Sequence, residues 1–125
     1  MNKKAIFRAG ALMLTTFSLL FSGLALAHAH LKTPSPADNA QLTSSPTSLT
    51  LTFSEDIEPA FSGVELLNDH QQPVALKKAA VNPEQPAQLI VPLSQPLVAG
   101  EYHVKWHVLS VDGHKTQGSY RFSVK

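Results

Sequence analysis

The sequence predicts an all-β domain, a sandwich or barrel of about seven strands, and three observations predict it. Apolar and polar residues alternate with a period of two in several short runs, the pattern of strands with one buried face. Gly, Pro, Asn and Asp recur between those runs at short intervals, where turns need them. Beyond the leader, no segment keeps a helical period over a window of about 11 residues.

Residues 1–27 read as a signal peptide and are set aside from the fold. Lys3, Lys4 and Arg8 make a basic start, residues 11–26 form a nearly uncharged, mostly apolar run, and Ala25-Leu26-Ala27 supplies the small-x-small pattern of a signal-peptidase site. Ala27-His28-Ala29 has the same form, so cleavage after Ala29 also fits, and either cut leaves a histidine at the new amino terminus. The alternative is an uncleaved membrane anchor, against which stands the lack of any basic stop-transfer signal after the run.

Residues 28–125 follow as one domain, about 98 residues that suffice for a modest core. Leu31-Lys32-Thr33-Pro34-Ser35-Pro36 reads as an edge strand or a tether, because proline cannot donate to a central ladder. Residues 37–40 are turn-rich. In residues 48–53, Leu49, Leu51 and Phe53 alternate with Ser48, Thr50 and Thr52, a strand with one buried face. Residues 54–59 are acidic and break the alternation, which makes them a loop. Residues 63–67 and 73–76 form two short strands joined by Asn68-Asp69-His70-Gln71-Gln72, residue types that favour a turn. Asn82-Pro83-Glu84-Gln85-Pro86 is a second loop, and residues 88–93 are a strand rich in Leu, Ile and Val. The clearest strand spans residues 101–108, with Tyr102, Val104, Trp106 and Val108 on the core face and His103, Lys105 and His107 on the other. Residues 119–124 repeat the form, with Tyr120, Phe122 and Val124 together.

Composition removes several function classes. The formal net charge is +1, but three of the ten Lys and Arg residues lie in the leader, so the domain is slightly acidic, with seven basic and nine acidic residues. That argues against nucleic acid as a partner. With no cysteine there are no disulfides, thiolate metal sites or thiol nucleophiles. Met1 and Met13, the only methionines, both fall in the leader, so the domain offers no soft sulfur ligand and no copper(I) site built on one.

Two stretches carry chemistry. A chain beginning at His28 presents its α-amine and its own imidazole on one residue, a bidentate pair of nitrogen donors. Between the last two strands, Asp112 and His114 have i, i+2 spacing, which in extended backbone puts both on one face, and Gly113 permits a sharp bend between them. An amino terminus paired nearby would complete a set of two imidazoles, one amine and one carboxylate. Such donors in a tetragonal arrangement suit copper(II) over the tetrahedral geometry of structural zinc. Alone, Asp-Gly-His is also a common solvated turn. Taken with the leader, the β pattern and the missing sulfur, it reads as a metal site. His28-Ala29-His30 offers an alternative, wrapping copper(II) or nickel(II) through the amine, two deprotonated backbone amides and the His30 ring. The folded set is preferred because Asp112 and His114 add chelation from a rigid scaffold, leaving His30 to hydrogen-bond or tune the site. His70, His103 and His107 are expected on the solvated surface, and Trp106 in the core.

The start His28-Ala29-His30-Leu31, the segment Leu51-Thr52-Phe53-Ser54-Glu55 with Phe61-Ser62-Gly63, and the run Tyr102-x-Val104-x-Trp106-x-Val108-x-Ser110-x-Asp112-Gly113-His114-x-x-x-Gly118-x-Tyr120-x-Phe122 together resemble the CopC family of periplasmic copper-binding proteins, in particular its YobA-like single-domain members. The resemblance covers essentially all of residues 28–125. It implies an immunoglobulin-like, Greek-key β-sandwich that binds one copper(II) ion through His28 (amine and imidazole), Asp112 and His114. The chain lacks the methionine-rich loop that holds copper(I) in one branch of the family. Some relatives are fused to, or work beside, a CopD-like inner-membrane protein, which makes such a protein the partner the resemblance suggests.

The expected function is therefore non-catalytic: sequestration, buffering or delivery of copper in the periplasm, in copper homeostasis or resistance, by a monomer whose mature domain is not embedded in the membrane. An enzymatic alternative is a copper monooxygenase using an amino-terminal histidine brace, which would need an open coordination position and a broad aromatic substrate surface. A metal-free structural immunoglobulin-like domain is the third reading, favoured if the mature chain starts at neither His28 nor His30.

Overall fold

Alternating burial along the chain resolves into nine strands in the computed structural model, which describes residues 29–125. They are β1 (Leu31–Ser35), β2 (Ala40–Leu42), β3 (Ser48–Phe53), β4 (Gly63–Leu67), β5 (Pro73–Val74), β6 (Ala80–Asn82), β7 (Gln85–Pro92), β8 (Gly100–Leu109) and β9 (Lys115–Val124). The leader, its cleavage point and His28 lie outside the described residues. Among the described residues no helix is long and apolar enough to cross a membrane.

The strands form two sheets, ordered β1-β3-β7-β6 and β2-β9-β8-β4-β5. The chain passes repeatedly from one sheet to the other, giving the Greek-key sandwich expected. Leu49, Leu51 and Phe53 of β3 and Leu89 and Val91 of β7 are the buried face of the first sheet. Tyr102, Val104, Trp106 and Val108 of β8 and Tyr120, Phe122 and Val124 of β9 face them from the second. Phe53 and Trp106 meet edge to face across the sandwich, ring centroids 5.1 Å apart at 68°. β1 is an edge strand, which is what allows Pro34 within it.

Strand count and several boundaries differ from expectation, for local reasons. β2 is three residues long, too short to show a period, and forms by parallel pairing with β9. The loop read over residues 82–86 is a tight hairpin: Asn82 Oδ1 accepts the Glu84 N–H at 3.0 Å, and β7 starts at Gln85. The strand read over residues 73–76 splits, since Val74 pairs with Leu66 of β4 whereas Leu76 forms an isolated bridge with Leu93, just past the end of β7. β9 begins at Lys115 rather than Ser119 because its first two inward positions, Thr116 and Gly118, carry no hydrophobic signal. Gly118 is required there: it lies opposite Trp106, and a Cβ at residue 118 would fall 2.5 Å from the indole Cζ2.

A candidate metal centre

The β8–β9 hairpin is the longest pairing in the molecule, running in register from Gly100↔Val124 to Leu109↔Lys115. At its end, residues 110–114 turn through a hydrogen-bonded loop. The Ser110 N–H donates to the His114 carbonyl at 2.9 Å, and the Gly113 N–H donates to the Ser110 carbonyl at 2.9 Å. Gly113 has φ +96°, a value that side chains disfavour, so glycine allows the bend.

Ser110, 1% exposed, is the buried polar residue of this core and organises the loop through its side chain. Its hydroxyl donates to Asp112 Oδ1 and accepts the His114 N–H at 3.2 Å. The His114 N–H also points to Asp112 Oδ1, at 3.3 Å. Asp112 and His114 are thereby brought together, His114 Nδ1 standing 3.0 Å from Asp112 Oδ1, with both side chains roughly half exposed. The Ser110 hydroxyl is the chief cause that holds the Asp112 carboxyl down at about 2, against the opposing effect of burial and with help from His114. Asp112 is consequently a carboxylate at any physiological pH. A separation of 3.0 Å is that of a charge-assisted hydrogen bond, and it keeps an anionic oxygen beside an imidazole, two donor types that divalent first-row metals accept.

The amino-terminal segment reaches the same end of the sandwich. Ala29 is fully buried, and its carbonyl accepts at 2.7 Å from the hydroxyl of Thr116, the second residue of β9 and two residues after His114. The His30 N–H donates to Ser54 Oγ at 3.0 Å, and the Ser54 N–H donates to the His30 carbonyl at 2.9 Å. The acidic segment read as a loop is also docked here, through Glu58 N–H to the Leu109 carbonyl (2.8 Å) and Val111 N–H to the Asp56 carbonyl (3.1 Å). Among the described residues no group of three His, Asp or Glu side chains converges on one point. Asp112 and His114 are a pair, and His28, the third expected ligand, lies outside the described residues.

The other histidines sit where the sequence places them. His103 and His107 lie on the outer face of β8, the His107 ring packed so closely over Gly63 that a Cβ there would come within 2.8 Å of it. His70 is exposed on its turn, 3.6 Å from Asp69. Sequence reading missed Ser54, Ser110 and Thr116, whose small hydroxyls carry no pattern of their own. The signal that could have found Ser110 is its placement two residues before the Asp, where a hydroxyl can close the turn.

Residues 31–125 match the profile of the CopC domain family. Protein YobA of Escherichia coli K12 is 47% identical over 115 residues, spanning 92% of this chain and 92% of that protein. Among solved structures, CopC from Methylosinus trichosporium OB3b is similar at TM-score 0.74 and 33% identity, over 78% of this chain and 94% of that one. PcoC, a methionine-rich copper resistance protein from Escherichia coli, is similar at TM-score 0.70 and 34% identity, over 79% and 100%.

Proposed function

The chain belongs to the CopC family, and from that membership we propose that it is a periplasmic copper(II)-binding protein, exported by a cleaved leader of residues 1–27, whose mature domain of residues 28–125 holds one copper(II) ion. The ligands are the His28 amine and imidazole, the Asp112 carboxylate and the His114 imidazole. The observation that carries this reading is the anchoring of Ala29 to Thr116. It holds Ala29, the residue bonded to His28, beside the strand that His114 immediately precedes, about 3.8 Å of chain from the first proposed ligand.

The role is sequestration, buffering or delivery, not catalysis. Similarity to a copper resistance protein supports a place in copper homeostasis, and without methionine in residues 28–125 that place is on the copper(II) side. A substrate platform of aromatic rings has little to draw on: Phe53, Tyr102, Trp106, Tyr120 and Phe122 are buried, and Phe61 is the exposed aromatic ring of the described residues. The domain acts as a monomer, and a CopD-like inner-membrane protein is the proposed recipient.

The test is a copper(II) titration followed by electron paramagnetic resonance, on protein with an authentic His28 terminus and on protein carrying an extra amino-terminal Met. One tight copper(II) per chain, lost or altered by the cap, is the expected result. Indifference to the cap would remove His28 from the site.

A further inference from the structure

We propose that Ser54 and Thr116 are positioning residues that decide which of two coordination modes the amino terminus adopts, and so discriminate between copper(II) in the folded site and square-planar amide binding of copper(II) or nickel(II). This rests on the copper reading above and adds to it a cause for the mode.

His28-Ala29-His30 has everything an amide-wrapped complex requires: a free amine, two amide nitrogens and a histidine in third position. In that complex the Ala29 and His30 amide nitrogens lose their protons and bind the metal. The folded chain has already committed the second of them, because the His30 N–H donates to Ser54 Oγ at 3.0 Å. The His30 carbonyl is held from the other side by the Ser54 N–H at 2.9 Å, so one residue grips both backbone groups of His30. Thr116 holds the preceding peptide through the Ala29 carbonyl at 2.7 Å, with Ala29 wholly out of solvent. Curling this segment around a metal breaks these contacts and exposes Ala29. Each net hydrogen bond lost is worth about a fivefold bias, so the segment is pre-set against wrapping before any metal arrives.

The hydroxyl of Ser54 is the discriminating group, since the Ser54 N–H remains whatever the side chain. Ser54→Ala therefore releases the His30 amide while keeping the strand pairing, and Ser54→Thr keeps a hydroxyl in place. Thr116→Val removes the second tether with little change of shape, and Thr116→Ser restores its hydroxyl.

The experiment compares wild type, Ser54→Ala, Ser54→Thr, Thr116→Val, Thr116→Ser and His114→Ala, all with a native His28 terminus. Copper(II) is read by electron paramagnetic resonance, nickel(II) by the visible absorption of its square-planar form, and the metal-free chain by hydrogen exchange at the His30 amide. The expected outcome is a protected His30 amide in metal-free wild type and a copper signal that changes in His114→Ala. Ser54→Ala and Thr116→Val should each bind nickel(II) about fivefold more tightly, with part of the copper signal moving to four nitrogens, and Ser54→Thr and Thr116→Ser should behave as wild type. Rapid exchange at His30, or nickel(II) affinities and copper signals unmoved in both hydroxyl-deleted variants, would overturn the inference. A wild-type copper signal indifferent to His114→Ala would instead strike the copper reading itself, so the two failures are separable.

Discussion

Trp106 and Gly118 face each other across the β8–β9 hairpin at a separation that leaves no room for a methyl group: a Cβ on residue 118 would lie 2.5 Å from Cζ2 and 2.8 Å from Cε2 of the indole. Gly118→Ala is expected to destabilise the domain by about 1–3 kcal/mol through overpacking. Trp106→Ala, which leaves a cavity under Phe53, is expected to cost about 3–5 kcal/mol. Urea unfolding followed by far-ultraviolet circular dichroism checks both, and a Gly118→Ala midpoint equal to wild type would show that the ring is free to shift.

His114→Ala is expected to weaken copper(II) binding by about 100-fold or more, since loss of an outer partner alone costs about 10–100-fold. Because the side chain is 44% exposed, fold stability should change by only about 0.5 kcal/mol. The amine and imidazoles must be deprotonated to bind, so wild-type affinity falls as the pH drops, and the variant should lose about one proton from that dependence. Competition titrations against a chelator of known affinity, repeated across pH, measure both effects.

Asp112 gives the metal-free protein a pH dependence of calculable sign. Its carboxyl sits at about 2 in the fold against an ordinary 3.8. Between those values the unfolded chain takes up the proton more readily, so the stabilisation from Asp112 is complete above 3.8 and disappears as the pH falls through about 2. The unfolding midpoints of wild type and Asp112→Asn should therefore differ at neutral pH and converge toward the acid end. A gap that stays constant down to that end would mean that the Ser110 hydroxyl is not holding the charge.

Tyr120 is 5% exposed, and its hydroxyl has no hydrogen-bond partner among the described residues. Burial, with the Asp38 charge adding to it, pushes the phenol pKa up, so the group stays neutral. Removing a buried hydroxyl of this kind relieves a desolvation cost of about 1–3 kcal/mol while keeping the ring, so Tyr120→Phe should match or exceed wild-type stability. A clear loss in thermal unfolding would show that the hydroxyl is satisfied in solution.

The core was legible because its residues obey a period: Leu49, Leu51 and Phe53, or Tyr102, Val104 and Trp106, announce a buried face by alternation alone. The beginning of β9 was not, because Thr116 and Gly118 occupy inward positions for reasons other than hydrophobicity, one to hold Ala29 and the other to make room for Trp106. β2 and β6 were hidden by their length, each becoming a strand only through its neighbour's ladder. For the candidate site, chemistry and spacing singled out Asp112 and His114 as a pair, and the fold does bring the two side chains together. The hydroxyls that aim them and grip the amino-terminal segment could not be singled out, since a serine or threonine shows its role only once its partner in space is known.

The tether between Thr116 and Ala29 closes a span of 87 residues. The amino-terminal segment is thus made early in synthesis, and its partner on β9 is made last. A chain cut before Asp112 retains Ser54 to hold His30 but lacks Thr116 to hold Ala29. Ala29 is therefore fixed only when β9 is complete, whereas the residues after it can be set as soon as β3 and Ser54 exist: the segment is secured in two instalments, one local and one final.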